Sequence, residues 1–225
     1  MIPWVKLGTA ILLDGVVMSL LRRGDEFSIE VDDLVLMNSR SHHSEEQLAR
    51  LGCAHCAGQQ RQHVLVGGLG MGFTLRAALD DLAPDATVTV AELVPDVVAW
   101  NREWLAPLAR SPLDDPRTRV IVGDVAALIG GATAAYDAIL LDVDNGPVEF
   151  TTSTNGWLYA KGGIDSAFRA LRVRGVLALW SSGDDGGFTS RLRRAGFCAT
   201  KQRVRARERS GPAHTLWIAS KTSDR

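Results

Sequence analysis

The chain reads as an α/β protein. A small N-terminal β-meander precedes a mostly parallel sheet whose strands alternate with helices, and an antiparallel hairpin closes the C-terminal end. Three observations predict this. Short β-prone runs broken by turn residues fill residues 1–40. From Gln62 onward, strand-like runs alternate with helix-forming stretches of about ten residues, the pattern of βαβ units. The tail returns to strand-like runs at 197–207 and 214–220, on either side of Ser210-Gly211-Pro212.

Taken in order, the meander comprises runs 11–13, 16–21, 27–31 and 34–37, punctuated by Asp14-Gly15, Arg23-Gly24-Asp25 and Asp32-Asp33. Ser44-Glu45-Glu46-Gln47 opens a helix, with Ser44 as cap and Gln47 completing a capping box; Gly58 stops it after about residue 57. Strands follow at 63–66, 87–91, 120–122, 138–141 and 176–179. Helices are expected at 73–82, 95–105, 125–129, 164–172 and 187–195, with Pro95 at a first helical position. The expected division is a β-domain over 1–43, a connecting helix over 44–61 and a nucleotide-binding catalytic domain over 62–225.

Composition narrows the function classes. The 225 residues are 46% hydrophobic and 23% charged, which is globular rather than disordered. A net charge of −1 gives no bulk attraction to nucleic acid or to an anionic membrane. No apolar run approaches the ~20 residues that span a bilayer. Met1-Ile2-Pro3-Trp4 has no basic region ahead of an apolar stretch, so no signal peptide is expected. Three cysteines, an odd number, do not make a disulfide framework, and the expected compartment is the cytoplasm.

Four strand ends carry the chemistry. Val66-Gly67-Gly68-Leu69-Gly70-Met71-Gly72 is a strand running into a glycine turn, where missing Cβ atoms allow a tight bend and close approach of a ligand. The same glycines can serve packing alone. Glu92 ends the second strand about twenty residues later, where a carboxylate accepts from ribose hydroxyls or is merely solvated. Asp124 ends the third strand and can receive an adenine amine, cap the next helix, or do both. Asp142-Val143-Asp144-Asn145-Gly146-Pro147 ends the fourth, in the crevice where such sheets bind ligands; Asp144 can also be a turn former. Together these signals point to an adenosine-type ligand, and the lack of Lys-Ser/Thr after the glycines excludes a P-loop.

Gly68–Met71 through Thr74-Leu75-Arg76, then 88–95, Asp115-Pro116-Arg117 through Val122-Gly123-Asp124, and Tyr136-Asp137 through Asp142 resemble the spermidine synthases, the polyamine aminopropyltransferases. The meander ending in Val31-Asp32-Asp33-Leu34 is similar to their small β-domain. The resemblance covers most of the chain and implies a Rossmann-like, class I methyltransferase-type sheet. It implies a donor that is S-adenosylmethionine or its decarboxylated form, and it expects no metal. Glu92 is then expected to hold the ribose and Asp124 with Val125 the adenine. The whole donor set is Gly68, Gly70, Met71, Gly72, Glu92, Leu93, Asp124, Val125 and Asp142. The expected catalytic pair is Asp142 and Asp144, with Asp142 accepting a proton from the acceptor amine.

The departures fall around the donor's amine and on the acceptor side. The family's amine-anchoring aspartate is Met71 here, and losing such a charge-assisted bond costs roughly 1.5–3 kcal/mol. Its Tyr-His-Glu appears as Ser44-Glu45-Glu46, its glutamine corresponds to about Leu36, and the two loop aspartates stand two apart rather than three. His43, Glu46, Trp157 and Tyr159 are the expected acceptor residues. The leading expectation is methyl transfer from S-adenosylmethionine to a small nucleophile, an amine before others. The alternatives are aminopropyl transfer to an amine and a non-catalytic nucleotide-binding protein. The expected partner is a small-molecule acceptor rather than a membrane or nucleic acid, and a homodimer is possible by resemblance.

Two further features have plain readings. Cys53-Ala54-His55-Cys56, near His42, His43 and His63, suggests a zinc site only in part, since a second ligand pair is missing and the cysteines have helical spacing. Arg203, Arg205, Arg207 and Arg209 alternate along the penultimate strand, as an anionic-partner surface or, more plainly, as a charged edge protected against aggregation.

Overall fold

The computed structural model describes residues 2–12, 15–143 and 156–223. Two sheets organise them. The first is an antiparallel meander of β1 (Val5–Ile11), β2 (Val17–Arg23), β3 (Glu26–Val31) and β4 (Leu34–Asn38), paired in chain order. The second holds seven strands: β5 (His63–Gly67), β6 (Thr87–Glu92), β7 (Thr118–Val122), β8 (Tyr136–Leu141), β9 (Leu171–Ser181), β10 (Phe197–Arg205) and β11 (Ala213–Lys221). Their spatial order is β10-β11-β9-β8-β5-β6-β7. β5 to β9 run parallel and β11 pairs antiparallel with both β9 and β10. This is the expected class I methyltransferase-like arrangement.

Both faces of the large sheet are covered, which is why its central strands are continuous apolar runs. Alternate residues enter separate cores. Val64, Val66, Ala138, Leu140, Val176 and Ala178 join the cluster shared with α1 (His43–Cys53), α2 (Phe73–Asp81) and α3 (Pro95–Arg102). Leu65, Ile139, Leu141, Leu177 and Leu179 face α4 (Val125–Gly131), α5 (Lys161–Ala170) and α6 (Phe188–Arg194). The meander leans on the α/β unit at two places. The side chains of Trp100 in α3 and of Trp104 just after it lie against β1 at Gly8, and Met37 of β4 sits over the glycine turn at Gly70.

Several element boundaries differ from expectation for tertiary reasons. The first strand is Val5–Ile11 rather than 11–13; it is largely exposed and lacks the apolar run that marks a strand, so only its pairing with β2 reveals it. The helix expected to 172 ends at Ala170, because Leu171 pairs with Tyr136 of β8 and starts β9 early. α1 ends at Cys53 and passes through a short 3-10 turn, Ala54–Cys56. Ser44 does not cap it: His42 occupies that position without a side-chain bond, and the Ser44 hydroxyl turns elsewhere. β10 stops at Arg205, so Arg207 and Arg209 lie in the connection to β11 rather than on the strand. Arg207 donates to Ser41 Oγ, and nearby Lys201 and Arg191 pair with Asp184 and Asp185. No helix among the described residues is long and apolar enough to cross a membrane.

Candidate active site

The order of the large sheet reverses between β5 and β8, the point at which sheets of this kind bind ligands beyond the carboxyl ends of their strands. The glycine turn after β5 lies there. Gly68 has φ +87°, and a Cβ there would lie 2.4 Å from the Asp142 carbonyl oxygen, so only glycine lets the turn pass β8. Gly70, at φ +51°, lies against the Met37 thioether. Asn101 of α3 is fully buried and donates through Nδ2 to the carbonyls of Gly70 (2.7 Å) and Val97 (2.9 Å). It holds the turn from behind, a role that a single polar residue on an otherwise apolar helix face does not announce.

Glu92 ends β6 with 9% of its surface exposed. Its two carboxylate oxygens accept from the backbone N–H groups of Leu69 and Val94, each at 2.9 Å. The carboxylate thus clamps the glycine turn to the start of α3. Burial raises its pKa while these backbone bonds lower it, and burial prevails. Leu93, next in the chain, is 48% exposed. Asp124 accepts from Ala126 N–H at 2.8 Å and caps α4, so the capping reading holds; the side chain stays exposed, while Val125 is buried.

Met71 differs from its expected place. Its side chain is 2% exposed and packs in the core, so it presents only backbone to the crevice. Gly72 lies at the start of α2, close to Asn101.

Asp142 follows β8 directly. Its Oδ2 accepts from Thr74 Oγ1 at 2.5 Å, and the same hydroxyl lies 3.3 Å from the Glu45 carbonyl. Glu45 is buried, and its carboxyl is pushed up to about 8, first by burial and then by the Asp142 charge. The residue of α1 brought beside Asp142 is therefore Glu45, not the expected Glu46. Glu46 pairs with His42 and Arg50, and with Phe73, Arg76 and Asp80 it lines a separate cleft of about 230 Å³. The fully buried Ser44 hydroxyl accepts from Trp180 Nε1 at 3.0 Å and lies 2.9 Å from His214 Nδ1 and 2.5 Å from Glu45 Oε2.

The remaining acceptor candidates separate. His43 begins α1, is partly exposed, and ties that helix to the hairpin through its N–H and the Ala206 carbonyl. Tyr159 does not wall an open pocket: it is 5% exposed, packs edge-on to Phe188, and its hydroxyl donates to the Val143 carbonyl, fixing the chain just after Asp142. Trp157 is 39% exposed. Asp144 lies outside the described residues. Cys53 and Cys56 are both buried, and among the described residues no cluster of three or more His, Cys, Asp or Glu is placed to hold a metal.

No family model matches the chain. It is 34% identical over 122 residues to the polyamine aminopropyltransferase of Nitrosomonas europaea, covering 54% of this chain and 35% of that protein. It is 28% identical over 193 residues to that of Mycobacterium tuberculosis, covering 81% of this chain and 35% of the relative. The chain thus spans about a third of the length of these two relatives. A spermidine synthase solved with the transition-state analogue AdoDATO superposes with a TM-score of 0.75 at 18% identity, covering 97% of this chain and 73% of that one. By sequence and by fold, then, the chain is spermidine synthase-like, built on a methyltransferase-type sheet.

Proposed function

We propose that this protein transfers an aminopropyl group from decarboxylated S-adenosylmethionine to a small amine. The observation that carries the reading is the convergence of the glycine turn with Asp142 at the strand reversal, where Gly68 has no room for a Cβ against the Asp142 carbonyl. A donor lying along the turn thereby has a carboxylate beside it. The names of the relatives favour this over the methyl transfer that Met71 suggested from the sequence.

In the proposed reaction the donor's ribose hydroxyls meet the lone pairs of Glu92 that the backbone leaves free, and its adenine lies toward Leu93, Asp124 and Val125. An ammonium cannot attack, so Asp142 takes one proton from the acceptor. The freed nitrogen forms a bond to the aminopropyl carbon as the carbon–sulfur bond breaks, and the sulfonium leaves as a neutral thioether. Positive charge passes from sulfur to nitrogen, so alignment of nitrogen, carbon and sulfur is the main task, contributing about 7–11 kcal/mol. Asp142 also attracts the cationic acceptor. Glu45, neutral at pH 7, adds no second charge.

Methyl transfer from S-adenosylmethionine is the second reading, and one feature favours it: the position that anchors the donor's amine in the resembled family is here an apolar side chain turned into the core. Incubation with each donor and a diamine, followed by mass analysis of the nucleoside product, separates the two. The expected product is methylthioadenosine from the decarboxylated donor, with turnover falling about 10²–10⁴-fold in Asp142→Asn. S-adenosylhomocysteine formed from S-adenosylmethionine, with the decarboxylated donor inert, overturns the assignment.

A further inference from the structure

Three side chains outside this reaction scheme run from the site toward the surface. Ser44 Oγ has one proton and two lone pairs. The Trp180 indole N–H can only donate, so it occupies one lone pair. The remaining proton and lone pair are divided between Glu45 Oε2 at 2.5 Å and His214 Nδ1 at 2.9 Å. Two of the arrangements that satisfy all three groups differ in which end of the chain carries the proton. In one, a protonated Glu45 donates to Ser44 and Ser44 donates to a neutral His214. In the other, a protonated His214 donates to Ser44 and Ser44 donates to an ionised Glu45. They differ by one proton passed through the hydroxyl, with no heavy atom moving. The carboxyl touches the serine rather than the imidazole, which is not the layout of a nucleophilic triad.

We propose that Glu45, Ser44 and His214 form a proton relay that empties the acceptor site, running from the carboxylate pair of Glu45 and Asp142 to the partly exposed imidazole on β11. The proposal rests on the reading of Asp142 as the base of amine transfer. The charged or titratable groups around Glu45 are Asp142 after β8, Glu46 on α1 and His214 on β11, with the neutral Thr74 of α2 and Trp180 of β9 completing the surround. In the proposed resting state burial first, and then an ionised Asp142, hold the proton on Glu45, and burial lowers the His214 pKa. When Asp142 takes the acceptor's proton, the like-charge repulsion vanishes. Glu45 then passes its proton through Ser44 to His214 Nδ1 as the ring's Nε2 proton leaves to water. Passage of the proton from Asp142 to Glu45, with return of the ring from its Nδ1–H to its Nε2–H form by exchange with water, restores the resting state. One proton enters at Asp142 and one leaves at His214 in each cycle.

The test combines side-chain ¹⁵N NMR of the histidine-labelled full chain, titrated between about pH 5 and 9, with the pH dependence of turnover on a diamine and the decarboxylated donor. In the wild type, the His214 Nδ1 signal is expected to show two titration steps, its own and one following Glu45. The second step disappears in Ser44→Ala and Glu45→Gln and returns in Ser44→Thr, which restores the hydroxyl. Turnover of Ser44→Ala is expected to fall about tenfold with KM within about twofold, and His214→Ala to be rescued by imidazole in the buffer. A His214 titration indifferent to Ser44→Ala in a wild type that turns over overturns the relay and leaves the aminopropyl assignment standing. Coupled titration in a protein inert toward every amine overturns that assignment instead and supports the proton path.

Discussion

The two halves of the crevice hold their buried acids differently. On the proposed donor side, Glu92 accepts from two backbone N–H groups that the fold itself supplies. On the proposed acceptor side, Glu45 is surrounded by side chains, and another carboxylate stands near it. A backbone-bound acid is part of the architecture: any chain making this turn and this helix start presents the same two donors. A side-chain-bound acid is tunable, because each neighbour can be exchanged without altering the trace. The resemblance to the spermidine synthases follows this division. The resemblance implies that the turn's glycines, Glu92 and Asp124 keep the family's pattern, whereas Met71, Ser44 and Glu45 depart from it.

The largest way to break the comparison is through pH. The Glu45 carboxyl sits at about 8 in the folded chain against an ordinary 4.5. Between those values the folded state keeps a proton that the unfolded state has released. The stability associated with that proton is therefore complete below about pH 4.5, declines through the window and is lost above about 8. Glu45→Gln should remove the slope, making the variant more stable than the wild type at high pH by as much as about 4–5 kcal/mol. Urea midpoints near pH 5 and near pH 8.5 check this; parallel wild-type and variant curves defeat it. Next in size is Met71→Asp, which restores the acid found in the resembled family. Because the thioether is buried in the core, the substitution should cost roughly 3 kcal/mol rather than tighten the donor. A variant as stable as the parent and binding the decarboxylated donor more tightly contradicts that. Glu92→Gln sharpens the contrast with Glu45→Gln. An amide offers one oxygen to two backbone donors, so the loss is roughly 1–3 kcal/mol at neutral pH, where Glu45→Gln does no such harm.

The same division governs how much was legible in the sequence. The parallel sheet and the strand-end acids could be read because period, spacing and glycine chemistry are local. The strand β1 could not, since its residues are largely exposed and carry no apolar run; its partner β2 defines it. Ser44 satisfies the capping pattern completely, yet Trp180 and His214 claim its hydroxyl from 136 and 170 residues away. Glu45 and Glu46 are equivalent in sequence, and only the rotation of α1 on β8 and β9 decides which faces Asp142. Thr74 sits in Thr74-Leu75-Arg76, where the resemblance gives it no role, and His214 carries no sequence pattern at all. The site was visible where backbone builds it and hidden where distant side chains do.

Asp124 tests whether a backbone-built position carries a second duty. Its carboxylate caps α4 through the Ala126 N–H at 2.8 Å while remaining exposed at the end of β7. Asp124→Ala removes the cap and should cost about 1 kcal/mol. Asp124→Asn keeps it, because asparagine caps about as well as aspartate, and stability should change by only a few tenths of a kcal/mol. The two variants separate capping from ligand binding. If the side chain also receives the adenine amine, calorimetry on Asp124→Asn shows weaker donor binding at unchanged stability, by roughly 1 kcal/mol for the exchange of a charged acceptor for a neutral one. Donor affinity equal to the wild type would leave Asp124 as a helix cap alone and shift the burden of adenine recognition to the apolar surfaces of Leu93 and Val125.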